Sequence, residues 1–207
     1  MNAQISQFDI AEKPDPYGIA VTDDGPVWVT MVHSGAAMRL AADGTHTQYP
    51  VGQASRPSVV TAGHGGSAWF TRTEDDRVSV IASDGSMETY DLDASSGPFG
   101  LCRGTDGAVW GTEIGAGQIG RIDPDGAVTE FALPDAAARP HAIAAGADGC
   151  WFTEWATNRV GHIAWSGDID EFDLPASTSE PYGIAVGSDG TVWVAMESGA
   201  VLRLTPE

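Results

Sequence analysis

The sequence predicts an all-β fold made of tandem repeats, and three observations predict it. Five prolines, Pro16, Pro57, Pro98, Pro140 and Pro181, recur at steps of 41, 41, 42 and 41 residues. Five tryptophans, Trp28, Trp69, Trp110, Trp151 and Trp193, follow in phase at steps of 41, 41, 41 and 42. The runs between them are short and alternating, such as "VWVT" and "IDEFDL", and no long stretch repeats its apolar residues at the helical period of 3.6. Two independent markers that keep one period through 207 residues mark copies of a single structural unit.

Each unit reads as four strands. The first begins after the proline ("YGIAV", "SVVTA", "FGLCR", "HAIAA", "YGIAV"). A turn follows, with Asp-Gly at 24–25, 106–107, 148–149 and 189–190, a pair that supplies the positive φ of a tight hairpin. The second strand carries the tryptophan. The third is a short apolar run ("AMRLA", "VSVIA", "IGRID", "VGHIA", "VLRLT"). A second turn comes next: Asp43-Gly44, Asp84-Gly85, Asp125-Gly126 and Ser166-Gly167. The fourth strand ends in an aromatic: Tyr49, Tyr90, Phe131 or Phe172. Four antiparallel strands in roughly 40–45 residues is the grammar of a β-propeller blade.

The fifth unit stops at "VLRLTPE", after its third strand. A step of 41 residues back from Tyr49 reaches Phe8 in "ISQFDI", which matches the fourth-strand phrases of the other units. The expectation is therefore one β-propeller domain over 1–207, with repeats near 16–56, 57–97, 98–139, 140–180 and 181–207 plus 4–10. In it the N-terminal strand completes the last of five four-stranded blades and closes the ring, leaving no open edge. The alternative is an open arc that pairs with a second chain.

A formal net charge of −19 repels a polyphosphate or an anionic membrane, so neither nucleic acid nor a membrane is an expected partner. Cys102 and Cys150 lie in apolar stretches without a CxxC neighbour and read as buried free thiols of a reducing compartment. The first residues, "MNAQISQFDI", carry no basic and apolar leader, and no run approaches the roughly 20 apolar residues of a membrane helix. The expected setting is cytoplasmic, as a monomer, with a dimer as the alternative.

In an antiparallel blade the first strand starts where the second ends. The residues around each proline and those after each tryptophan strand therefore share one face, and the Asp-Gly turns take the other. The proline face is chemically varied: Asp15 and Tyr17, Arg56 and Ser58, Gly97 and Phe99, Arg139 and His141, Glu180 and Tyr182 beside the prolines; His33, Arg72, Glu113, Glu154, Trp155 and Glu197 after the second strands. Function belongs on loops presented by a rigid frame, so the site is expected there.

At these residues the chain resembles a known family. "ARPHAIAAGADGCWFTEWATNRVGHI" and "EPYGIAVGSDGTVWVAMESG" are similar to the last two blades of the streptogramin B (virginiamycin B) lyases. Members are seven-bladed propellers that open cyclic depsipeptides at the ester by elimination, with Mg²⁺ as cofactor. The resemblance implies metal-holding roles for Glu180 and Glu197, a substrate contact for His141 and the general base at the position of Tyr182, where this chain reads "EPYG". The same face offers Tyr17 and Trp155 as substrate contacts and His33 as a substitute base. Elimination needs proton removal beside a carbonyl, a hard cation to stabilise the charge that develops, and a base titrating near neutrality. An ordinary phenol, with a pKa of about 10, meets the last need poorly.

The expected function is thus metal-assisted ring opening of a cyclic depsipeptide or lactone, acting on a small-molecule or cyclic-peptide ligand. One alternative is a non-catalytic propeller that binds a ligand or partner after losing its base. Another is a metal-dependent lactonase that hydrolyses its ester. Glu113 and Glu154, each three residues after a tryptophan, read as structural, with Arg56 and Arg139 as their expected partners.

Overall fold

The structure is a computed structural model and describes residues 6–10 and 15–206. Among these residues nineteen strands form five antiparallel sheets in chain order. The first contains β1 (Pro16–Val21), β2 (Val27–Met31), β3 (Ala36–Leu40) and β4 (His46–Pro50); the second β5 (Pro57–Ala62), β6 (Ala68–Arg72), β7 (Arg77–Ile81) and β8 (Met87–Asp91). The third contains β9 (Pro98–Arg103), β10 (Val109–Glu113), β11 (Gln118–Ile122) and β12 (Val128–Ala132). The fourth contains β13 (Pro140–Ala145), β14 (Gly149–Glu154), β15 (Arg159–Ala164) and β16 (Ile169–Asp173). The fifth has only β17 (Pro181–Val186), β18 (Val192–Met196) and β19 (Val201–Leu204).

The periodic tryptophans join the sheets. Trp28 packs on Val60, Phe70 and Ile81 of the second sheet, Trp110 on Ile143 and Phe152 of the fourth, and Trp151 on Val192 and Val194 of the fifth. Four of the five meet the fourth-strand aromatic of their own sheet, with centroid separations of 5.5 Å (Trp28–Tyr49), 5.4 Å (Trp69–Tyr90), 5.8 Å (Trp110–Phe131) and 5.6 Å (Trp151–Phe172). Burying a ring of this size removes enough apolar surface to contribute on the order of 4–6 kcal/mol before chain entropy is subtracted.

A second joint is polar. Each first strand bulges just after its proline, freeing one N–H from the ladder. A threonine two residues after the tryptophan accepts it: Thr30 from Gly18 (2.9 Å), Thr71 from Val59 (3.1 Å), Thr112 from Gly100 (2.8 Å) and Thr153 from Ala142 (3.0 Å). The same hydroxyl donates to a carbonyl of the next sheet: Thr30 to Ser58, Thr71 to Phe99 (3.1 Å), Thr112 to His141 (2.7 Å) and Thr153 to Tyr182 (3.1 Å). In the fifth sheet the equivalent residue is Ala195, which has no hydroxyl.

The second turns are as expected, with Gly44, Gly85, Gly126 and Gly167 at φ of 87°, 87°, 88° and 95°. One first turn differs. Gly149 does not enter the left-handed region but opens β14, with its carbonyl accepting from Gly146 N–H at 2.7 Å.

Closure of the ring by the N-terminal strand is not shown among the described residues. The fifth sheet has three strands, and residues 6–10 are in no sheet; residues 4 and 5 of the expected strand lie outside the described residues. The physical reason is visible at Phe8. Its ring packs over Gly44 of the first sheet, where a Cβ would meet it at 2.8 Å, as Tyr49 packs over Gly85 and Tyr90 over Gly126. Gln48 donates to the Ile10 carbonyl at 3.4 Å. The segment thus keeps an outer strand's contact with the following blade without a ladder to β19. The innermost strands pack in the order β1, β5, β9, β13, β17, and no comparable packing returns from β17 to β1 among the described residues. Ile19 at one end and Trp193 at the other are 70% and 44% exposed.

Candidate functional site

The proline face is built by one local rule. The residue before the proline takes a left-handed conformation, with φ of 46° at Arg56, 56° at Gly97, 53° at Arg139 and 57° at Glu180. Non-glycine residues rarely adopt it, so surrounding bonds must hold it. Its carbonyl accepts the N–H of the residue four after the tryptophan: Thr73 (3.4 Å), Ile114 (3.2 Å), Trp155 (3.2 Å) and Glu197 (3.0 Å). Two of these bonds set a pair of side chains side by side. Arg139 lies over the Trp155 ring at 4.9 Å, and Glu180 meets Glu197. The fixed offset from proline and tryptophan is present in the sequence; reading each residue type alone did not expose it.

Glu180 and Glu197 are therefore neighbours, as expected of a carboxylate pair. A hydrogen bond shared with the Glu197 carboxyl is the main reason that Glu180 binds its proton more tightly than an ordinary glutamate, and the Glu197 charge adds to it. Two crowded carboxylates of this kind are the donor set that a hard dication takes while keeping most of its waters. Among the described residues no group of three or more His, Cys, Asp or Glu converges on one point, so a Mg²⁺ ion at this pair would rest on two protein ligands.

The residues just after the prolines line the inner mouth. Tyr17, Phe99, Arg139, His141, Trp155 and Tyr182 surround a recess of about 310 Å³. His141 sits between Phe99 (centroids 4.5 Å apart) and Tyr182 (4.4 Å). Burial is the main cause that lowers its pKa, and the Arg139 charge adds to it, so the imidazole is neutral at neutral pH. Its Nδ1 has no hydrogen-bond partner among the described residues. The structure thus gathers the three expected contacts, Tyr17, His141 and Trp155, with Tyr182 of the expected base position in one recess, and sets Glu180 and Glu197 on the loops beside Tyr182.

His33 is placed otherwise. It lies exposed in the loop after β2 and is not part of the recess wall. Its N–H, with that of Ser34, donates to the Asp15 carboxylate. These bonds outweigh the burial that would raise the Asp15 pKa, and hold it below the usual carboxylate range.

The residues three after the tryptophan, Met31, Arg72, Glu113, Glu154 and Met196, are all buried. Glu113 and Glu154 point into the sheets, in line with a structural role. Their expected arginine partners are elsewhere: Arg56 bonds Glu74 at 3.0 Å, and Arg139 stacks on Trp155. No helix among the described residues is long and apolar enough to cross a membrane.

The sequence profile of the Virginiamycin B lyase family matches residues 3–114 and 94–204. A virginiamycin B lyase of Mycolicibacterium vanbaalenii is 57% identical over 53 residues, which is 26% of this chain and 18% of that protein. The crystal structure of virginiamycin B lyase from Staphylococcus aureus superposes with a TM-score of 0.89 at 35% identity, over 95% of this chain and 69% of that one. A catalytically inactive histidine-to-alanine variant of the S. aureus enzyme, solved with quinupristin, gives 0.88 at 35% identity over the same shares. This chain thus matches less than a fifth of the curated relative's length and about two thirds of the solved ones. With the repeat, the sheets and the profile in agreement over nearly all of its residues, the chain belongs to the Virginiamycin B lyase family.

Proposed function

We propose that the protein opens the ring of a cyclic depsipeptide or lactone by elimination, in the recess at the proline face. The observation that carries the reading is the neutral His141 imidazole held between two aromatic rings, with the Glu180–Glu197 pair on the adjoining loops. Elimination removes a proton from the carbon next to the ester-bearing carbon. A C=C bond forms, the C–O bond breaks, and the ring oxygen leaves as a carboxylate, so the product is an isomer of the substrate.

Of Tyr182, His33 and His141, only His141 combines a place in the recess with an imidazole kept ready to accept a proton. We assign it that role. Tyr182 stands where the family resemblance puts the base, and with Tyr17 and Trp155 it offers aromatic surface to the peptide ring. The Arg139 guanidinium, stacked on Trp155, is a counter-charge for the departing carboxylate. Glu180 and Glu197 would hold Mg²⁺, which when bound supplies positive charge for a carbonyl oxygen gaining electron density. In the S. aureus relative the histidine-to-alanine variant is catalytically inactive, which supports an imidazole-dependent reaction here.

The test is incubation with quinupristin and Mg²⁺, followed by mass spectrometry. A ring-opened product of unchanged mass supports the reading, with its loss in His141→Ala. Gain of one water would mean hydrolysis instead. The phenol at the expected base position favours a second reading, a ligand-binding propeller without turnover. Quenching of tryptophan fluorescence by quinupristin that remains cyclic would establish that reading and overturn the first.

A further inference from the structure

We propose that Cys102 and Cys150 are a redox pair that closes to a disulfide between the third and fourth blades. The two sulfurs lie 3.6 Å apart, one on β9 and the other on β14, in different sheets. A disulfide bond is about 2.05 Å long, so the sulfurs must approach by roughly 1.5 Å. Cys150 is fully buried, whereas Cys102 is partly exposed, which opens the pair to a small oxidant from one side only. Around them the packing is apolar, with Ala108, Ile143 and Ala145 in the same cluster, and the charge that acts on Cys150 is the Asp106 carboxylate.

The pair sits at the Asp-Gly side of the blades. Cys102 faces Trp110 across its ladder and Cys150 faces Ala145, away from the prolines that form the recess. Closure would therefore join two blades without entering the proposed site. It would also complement the Thr112 hydroxyl, which already bonds the His141 carbonyl across the same interface.

With hydrogen peroxide as the oxidant, the chemistry balances in two steps. The sulfur of the partly exposed Cys102 attacks one peroxide oxygen; the O–O bond breaks, one water leaves, and Cys102 becomes a sulfenic acid. The Cys150 sulfur then attacks the Cys102 sulfur and displaces the hydroxyl, which leaves as a second water with the Cys150 proton. Two thiols are oxidised by two electrons and one peroxide is reduced. Hydrogen bonding to Cys102, and then burial, keep the proton on Cys150 until that second step.

The experiment treats the folded full-length chain with hydrogen peroxide and reads intact mass, free thiols and melting temperature. The expected result is loss of both thiols with loss of two hydrogens' mass. It includes a cross-linked peptide joining residues 102 and 150, and a rise in melting temperature of several degrees that dithiothreitol reverses. In Cys150→Ser, a sulfenic-acid trap should label Cys102; in Cys102→Ser, Cys150 should stay unmodified. The inference is overturned by oxygen adducts on unlinked cysteines, by disulfides between chains, or by thiols that persist at peroxide levels that oxidise the unfolded chain.

Discussion

Replacing Glu113 by Gln should stabilise the protein at alkaline pH and leave it nearly unchanged in acid. Glu113 is 1% exposed and borders a cavity of about 10 Å³ walled by Val78, Leu92, Pro98, Leu101, Val109 and Ile122. Neither of its carboxyl oxygens has a hydrogen-bond partner among the described residues. Burial, and then the charge of Glu130, push its pKa from an ordinary 4.5 to about 8. The folded state thus binds this proton more tightly than the unfolded state. The stability it contributes is complete below pH 4.5, declines as pH rises, and is lost beyond pH 8. A shift of that size corresponds to roughly 5 kcal/mol, an upper figure because the buried carboxylate recruits water as it ionises. Glutamine keeps the shape and stays neutral, so its stability lacks this slope. Urea unfolding of both proteins from pH 4 to pH 9 measures the difference, and subtraction cancels the pH response of the remaining acidic surface. A stability difference that does not change with pH, or a variant that is weaker throughout, would refute the reasoning.

Three further outcomes are expected. Thr153→Val should cost about 1–3 kcal/mol in denaturant unfolding, because the Ala142 N–H and the Tyr182 carbonyl both lose their partner. Glu197→Gln should bring the Glu180 carboxyl back toward the ordinary range in a carbon-detected NMR titration, and should abolish Mg²⁺ binding at the pair if the two carboxylates hold the ion. Arg139→Met should raise the His141 pKa in a histidine NMR titration while leaving it below an ordinary imidazole, since burial is the larger cause.

Much of the frame is legible from spacing alone. The 41-residue step located the prolines, the tryptophans and the second turns because each answers to backbone geometry: a fixed φ, an inter-blade wedge, a positive φ at glycine. Phe8 was also in phase, and it does pack like an outer-strand aromatic. Whether it pairs with β19 is not legible, because a period assigns a residue its place in the repeat but not the strand beside it. Trp-x-Thr in four units and Trp-x-Ala in the fifth is a visible signal for the polar joint, yet its meaning depends on a bulge that only coordinates display. The proximity of Glu180 to Glu197 likewise follows from one N–H to carbonyl bond, which no residue type announces.

The threonine joints have a consequence for how such a mouth can change. What each hydroxyl grips in the neighbouring blade is a main-chain oxygen, at Ser58, Phe99, His141 or Tyr182, and never the side chain of that residue. The scaffold is thereby indifferent to what those four positions display. Serine, phenylalanine, histidine and tyrosine occupy interchangeable sockets, so new chemistry can be installed at the rim one residue at a time while the mechanical coupling between blades stays intact.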